Sequence, residues 1–171
     1  ADVAGAPFCE LMQKHVLDLV GMRFSTYEQP LPAGLVSFAT AGHSQGKVVK
    51  GGRHTYPELA AAGLTTTASD LARFAITVQR ARLGLSSVLS RREALLMTTP
   101  YRADSYGLGF EILPPGDKDK KYFGHGGSNR GYTGSLLATL DGGHGMVILT
   151  NGEEWNVVKE IADKIRGEYG F

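Results

Sequence analysis

The chain has 171 residues and a mass of 18.3 kDa, the usual size of one domain. Eighteen Lys plus Arg against seventeen Asp plus Glu leave a net charge of +1, so no long-range field draws it to a phosphate backbone or an anionic bilayer, and nucleic acid is set aside as a partner. A composition that is 42% hydrophobic and 20% charged excludes wholesale disorder, and 23 glycines, well above the usual ~7%, argue against a plain helical bundle.

The opening residues, Ala1 to Pro7, carry neither the basic nor the apolar region of a signal peptide. Phe8, Leu11, Met12, His15, Val16, Leu19 and Val20 then fall at helical spacing, which predicts an amphipathic helix with Pro7 in its first turn and Gly21 as its stop. On that stripe His15 reads as a hydrogen-bonded core histidine. Cys9 is the single cysteine, so no internal disulfide, zinc ribbon or Cys-x-x-Cys redox pair can form. From 27 to 57 the periodicity fades among prolines and glycines, predicting a surface excursion with one or two short extended pieces.

Thr67-x-x-Asp70 resembles a capping box, with Leu71, Phe74, Ala75, Val78 and Ala81 behind it, so a second helix is expected to about Arg82. Ser90-x-x-Glu93 opens a third, which stops before Pro100. The period then changes. Tyr106–Leu113, Tyr122–His125, Ser135–Leu140 and Met146–Thr150 read as strands, with Asp141-Gly142-Gly143-His144 joining the last two as a hairpin. The run Asp117–Lys121 has the mixed charge of a solvated loop, and Arg80, Arg82, Arg91 and Arg92 read as solvated surface. Trp155, Val158, Ile161, Ala162, Ile165 and Tyr169 form the apolar face of a last helix. The expected class is α+β: an antiparallel sheet and C-terminal helix over 104–171, preceded by helices, in one domain spanning 1–171. No run approaches the roughly 18 apolar residues of a membrane-spanning helix.

Two segments carry candidate chemistry. Gly42-His43-Ser44-Gln45-Gly46 spells G-x-S-x-G, the strained elbow that presents a nucleophilic serine in lipases and esterases. That elbow must run into a helix, whereas Lys47-Val48-Val49-Lys50-Gly51-Gly52 favours extended chain followed by two helix breakers. Ser44 is also the only serine with a lysine three places on, Lys47. That S-x-x-K geometry again needs a helical turn, which Gly46 disfavours. The second segment, Phe123-Gly124-His125-Gly126-Gly127-Ser128-Asn129-Arg130-Gly131-Tyr132, sets glycines where backbone N–H groups can approach a ligand, as an oxyanion hole or carboxylate site requires. His125 is a candidate donor or proton shuttle there; the competing reading is a bulged edge strand with a structural histidine. His15, His43, His54, His125 and His144 show no metal-ligand spacing, and no cofactor is expected.

In chain order, Tyr56–Leu64, Thr67–Phe74, His125-Gly126-Gly127 and Val147–Gly152 resemble the serine β-lactamase-related family, and within it the class C branch with penicillin-binding proteins, D-aminopeptidases and family VIII-type esterases. Val16–Met22 is similar to that family's Pro-Leu-Gly-Met helix end, with Leu19 in place of the proline. The resemblance implies the C-terminal part of a β-lactamase/transpeptidase-like fold, since members are about twice this length and carry their S-x-x-K and Y-x-N upstream. No Tyr-x-Asn or Ser-x-Asn occurs in this sequence. It further implies that His125, Gly126 and Gly127 stand at the third motif, on the strand edge where a substrate carbonyl docks. The N–H of Ser128 would be one oxyanion donor, and Ser44 matches neither family role.

The function so implied is a portion of a serine hydrolase that cleaves amides or esters through an acyl-serine when complete, and is silent alone. Its substrate would be a small acyl compound, and the chain would fold with a separate N-terminal half, associate with a second copy across an exposed sheet edge, or be a fragment of a longer product. A periplasmic or secreted location follows from the resemblance alone, and the compartment stays open. Two alternatives remain: an esterase using Ser44 with His125 as base, and a non-catalytic module that captures a carboxylate or peptide end.

Overall fold

The computed structural model describes residues 3–101, 105–113 and 121–170. Helix α1 (Phe8–Met12) runs through a π-helical turn, Gln13–Leu17, into α2 (Asp18–Val20), and ends at Gly21 with φ 79°. The continuous helix is as expected, but its inner face is not. A π turn is wider than an α turn and sets the phase of everything beyond it back by about one residue. Leu17 is therefore the buried residue, at 2% exposure, while Leu19 stands 55% exposed. His15 is exposed as well, so the reading of it as a core histidine is corrected.

The excursion at 27–57 holds a short helix, α3 (Ala33–Val36), which the sequence did not predict, and a two-rung hairpin, β1 (His43–Ser44) with β2 (Lys47–Val48). Helix α4 (Leu59–Ala62) follows. In α5 (Ala68–Arg82) the Thr67 hydroxyl accepts from the Asp70 N–H, as a capping box requires. The Asp70 carboxylate does not complete the box. It is fully buried and accepts from the Phe24 N–H at 2.7 Å, the Ser25 hydroxyl at 2.9 Å and Arg73 at 2.7 Å. This ties the segment after the first helix to α5. Helix α6 (Arg91–Met97) has the full reciprocal box between Ser90 and Glu93.

Four antiparallel strands follow in sheet order: β3 (Glu111–Leu113), β4 (Tyr122–Asn129), β5 (Tyr132–Thr139) and β6 (Gly145–Thr150). The expected strand from Tyr106 shrinks to β3, because Gly109 at φ 93° turns the chain and Tyr106 folds back to bridge Glu111. Strand β4 runs four residues past His125, because its ladder with β5 continues to Asn129↔Tyr132. Gly142 and Gly143, both at positive φ, make the expected turn into β6. Of the charged run 117–121 only Lys121 is among the described residues, and its carbonyl accepts from the Leu140 N–H at 2.9 Å.

The sheet is covered on both faces. Ala75 and Val78 of α5 pack with Phe110, Phe123, Leu136 and Ala138, and Leu140 closes that layer. On the opposite face Tyr122 and Leu137 meet Ile165 of α7 (Trp155–Tyr169), with the Arg166 guanidinium 5.7 Å from the Tyr122 ring centre. The predicted apolar face of α7 is only partly used: Val158 is 1% exposed, but Trp155 and Tyr169 stand at 44% and 70%. Among the described residues no helix is long and apolar enough to cross a membrane.

Candidate functional site

Side chains alternate along β4. Phe123, His125, Gly127 and Asn129 belong to the face that α5 covers, and Tyr122, Gly124, Gly126 and Ser128 to the face of α7. Pairing on the β3 side ends at Glu111↔Gly124, whereas pairing on the β5 side continues to Asn129. Among the described residues, then, His125 to Asn129 have a ladder on one edge only, and His125 to Ser128 are all exposed. An open strand edge presents backbone donors and acceptors to whatever extended chain arrives.

The two central glycines shape that edge. A Cβ at Gly126 would lie 2.8 Å from the Trp155 ring, so the glycine lets the indole rest directly beneath the strand. A Cβ at Gly127 would meet nothing within 4 Å, which leaves an open approach from the other face. The His125 Nδ1 is hydrogen-bonded to the Gly126 carbonyl, and the ring stands edge-on to Tyr106 with centroids 6.3 Å apart. The structure thus brings His125, Gly126, Gly127 and Ser128 together on one edge.

Ser44 lies elsewhere, at the end of the β4–β5 hairpin. The turn after β1 is Gln45-Gly46, at φ 51° and 73°, and it leads into β2 rather than into a helix. Ser44 and Lys47 face each other across that turn instead of following one another along a helix. The Ser44 hydroxyl, in a residue 8% exposed, donates to Glu153 Oε2 at 2.7 Å, and no hydrogen bond joins it to His125. The other Glu153 oxygen accepts from the Gly131 N–H at 2.9 Å, with Arg130 Nε at 3.7 Å. The Ser44 hydroxyl, then the Gly131 N–H, and less strongly Arg130, hold the Glu153 carboxyl below its ordinary 4.5.

Two glycines make this junction possible. A Cβ on Gly131 would come within 2.7 Å of Val49, and one on Gly42 within 2.6 Å of the Tyr132 ring, so the β1–β2 hairpin can press against the β4–β5 turn only with glycine at both places. The Tyr56 hydroxyl accepts from the Arg130 N–H at 2.9 Å, and the Asn129 amide donates to the Ala62 carbonyl at 3.0 Å, which fixes the strand end from the other side. Between these walls runs a groove of about 750 Å³ that reaches from Lys47 and Lys50 to Ser128. Glu153, Tyr56 and Trp155 had no site role in the sequence reading. Glu153 directly follows the Val147–Gly152 motif, and Tyr56 opens another, so position beside a motif was the available signal. Among the described residues no three His, Cys, Asp or Glu side chains converge on a point where a metal ion would sit.

The family model described as Beta-lactamase matches residues 1–170. No curated protein sequence matches the chain. Among solved structures it is similar to a D-alanine carboxypeptidase AmpC from Burkholderia cenocepacia, at 23% identity and TM-score 0.70 over 89% of this chain and 52% of that one. A D-stereospecific amidohydrolase from Streptomyces sp. matches at 20% identity and TM-score 0.67, over 88% and 46%. A D-amino acid amidase from Ochrobactrum anthropi SV3 matches at 16% and 0.72, over 98% and 56%. The α+β arrangement of antiparallel sheet and C-terminal helix is the fold these structures share. The chain spans about half the length of each of them.

Proposed function

This chain belongs to the beta-lactamase family, and from that premise we propose that it is the C-terminal portion of a serine hydrolase that, when complete, cleaves an amide or ester through an acyl-serine. The reading rests on the β4 edge, whose pairing on the β3 side stops at Gly124 and leaves Gly126, Gly127 and Ser128 exposed. A substrate carbonyl lies along that edge and the N–H of Ser128 serves as one oxyanion donor, worth a few kcal/mol once a tetrahedral intermediate exists. His125 stands at the mouth of the edge as a donor to the same substrate. The nucleophile and its base come from another polypeptide segment, supplied by an N-terminal half or by a partner that covers the edge. The solved relatives named for D-amino acid amides and D-alanine peptides make small D-amino acid derivatives the substrate class to try.

Alone, the chain lacks a group able to start acylation. Ser44 is an unsuitable nucleophile, since its hydroxyl is committed to a carboxylate that is held deprotonated and is correspondingly a weak base. The purified 18.3 kDa chain is expected to leave nitrocefin and p-nitrophenyl acetate unhydrolysed above buffer. It is also expected to take up no mass from a serine-directed fluorophosphonate. Turnover with a stable covalent adduct, abolished in Ser44→Ala, would overturn the reading and hand the nucleophile's role to Ser44. Light scattering tests the partner: a second copy or a companion chain is expected, and a lone monomer with an unchanged open edge counts against it.

A further inference from the structure

We propose that the groove between the β1–β2 hairpin and the end of β4 is an anion subsite, which takes a carboxylate carried on the acyl side of the ligand docked at the β4 edge. This rests on the reading of that edge as the docking ledge, and adds to it the charge of the preferred substrate.

The groove runs from Ser128, on the ledge, to Lys47 and Lys50 on the hairpin, with His54, Tyr56 and Arg130 along it. Its formal charges are three cations against one anion, Glu153. That anion is already occupied: one oxygen takes the Ser44 hydroxyl and the other the Gly131 N–H, with Arg130 at 3.7 Å. Lys47 and Lys50 are exposed and take part in no ion pair among the described residues. Two lysines outside any ion pair thus line a groove whose one carboxylate is already engaged, although the chain as a whole is nearly neutral. A concave surface concentrates such a field and attracts a small anion toward it.

The walls are fixed rather than adaptable. Tyr56 is tied to the Arg130 backbone at 2.9 Å, the hairpin is seated on the β4–β5 turn through Gly42 and Gly131, and Glu153 is bound to both hairpins. These ties hold the lysine-bearing hairpin beside the ledge, so a ligand gains from both only if it carries its charge beyond the group at Ser128. A succinyl cap on a D-alanyl-D-alanine peptide meets that requirement; an acetyl cap, which has the same amide and no charge, does not.

The test compares N-succinyl-D-alanyl-D-alanine with N-acetyl-D-alanyl-D-alanine on the isotopically labelled chain, following backbone amide shifts. The succinyl peptide is expected to bind about five- to tenfold more tightly at low ionic strength, the range that two exposed ion pairs supply. Its shifts are expected to extend from 126–128 to 47–50. The preference is expected to vanish at about 1 M salt, where the Debye length is about 3 Å, and in the double variant Lys47→Gln/Lys50→Gln, with acetyl-peptide binding unchanged. Equal binding of the two peptides, with shifts at 126–128, would overturn the subsite and leave the ledge standing. Shifts at 47–50 from succinate alone, with silence at 126–128 from both peptides, would keep the anion site and overturn the ledge. A preference that survives in the double variant would assign the anion to other cations and also overturn the proposal.

Discussion

The two halves of β4 meet opposite fates. From Tyr122 to Gly124 the strand is paired on both edges and buried between the layers beneath α5 and α7, whereas His125 to Asn129 have one partner strand among the described residues and His125 to Ser128 are exposed. The same backbone geometry is thus built into the core in one half and left open in the other, the half proposed to dock substrate. The division is set by where β3 stops and by side chains. Phe123 and Tyr122 fill the core, while the glycines beyond them have nothing to bury.

Substitutions along the strand separate the halves. Phe123→Ala should cost about 3–5 kcal/mol, the range for emptying a fully buried aromatic site, read as a fall in the urea midpoint. A loss below 1 kcal/mol, roughly the surface range, would erase the contrast. Gly124→Ala comes next: its Cβ would stand 2.4 Å from the Leu136 carbonyl oxygen, which is backbone and cannot swing aside. About 1–3 kcal/mol is expected by the same measurement. Gly127→Ala, three rungs further out with space around it, should stay within about 0.5 kcal/mol of the parent in stability. The same variant should weaken peptide binding at the edge in the amide-shift titration, since a methyl group narrows the approach.

The core half was legible in the sequence and the open half was only partly so. Tyr122 and Phe123 declare a strand by type, and Ser90 with Glu93 declare a helix start by spacing. Gly126, Gly127 and Ser128 have no strand propensity of their own; the ladder to β5 imposes the conformation from outside. Asp70 was recognisable as a capping residue, yet its carboxylate answers to Phe24 and Ser25, more than forty positions away, which no local pattern can announce. Glu153 was hidden for the same reason, since its partners lie on two separate hairpins.

The smallest effect sharpens the comparison at the hairpin end. A carboxyl held below its ordinary value stabilises the fold above the unfolded value of about 4.5, and that contribution disappears as the pH falls through the lower folded value. The Ser44 hydroxyl is the largest cause of the depression at Glu153. Ser44→Ala should therefore flatten the fall in urea midpoint below about pH 4.5, with little change in that slope for Phe123→Ala. An identical acid limb in parent and Ser44→Ala would detach Glu153 from the junction.

The wide turn at Gln13–Leu17 acts like an extra tooth in a gear. Deleting one residue there would let the first helix close into a regular spiral while Leu17 keeps its inward face, because a π turn is the shape a helix takes to absorb one extra residue. Loss of a single amino acid in this stretch would thus be felt as a narrowed turn, with the faces on either side of it unchanged. Met22 and Ser25, which anchor to the body of the molecule just downstream, would keep their places, whereas adding a second residue would turn them out of register.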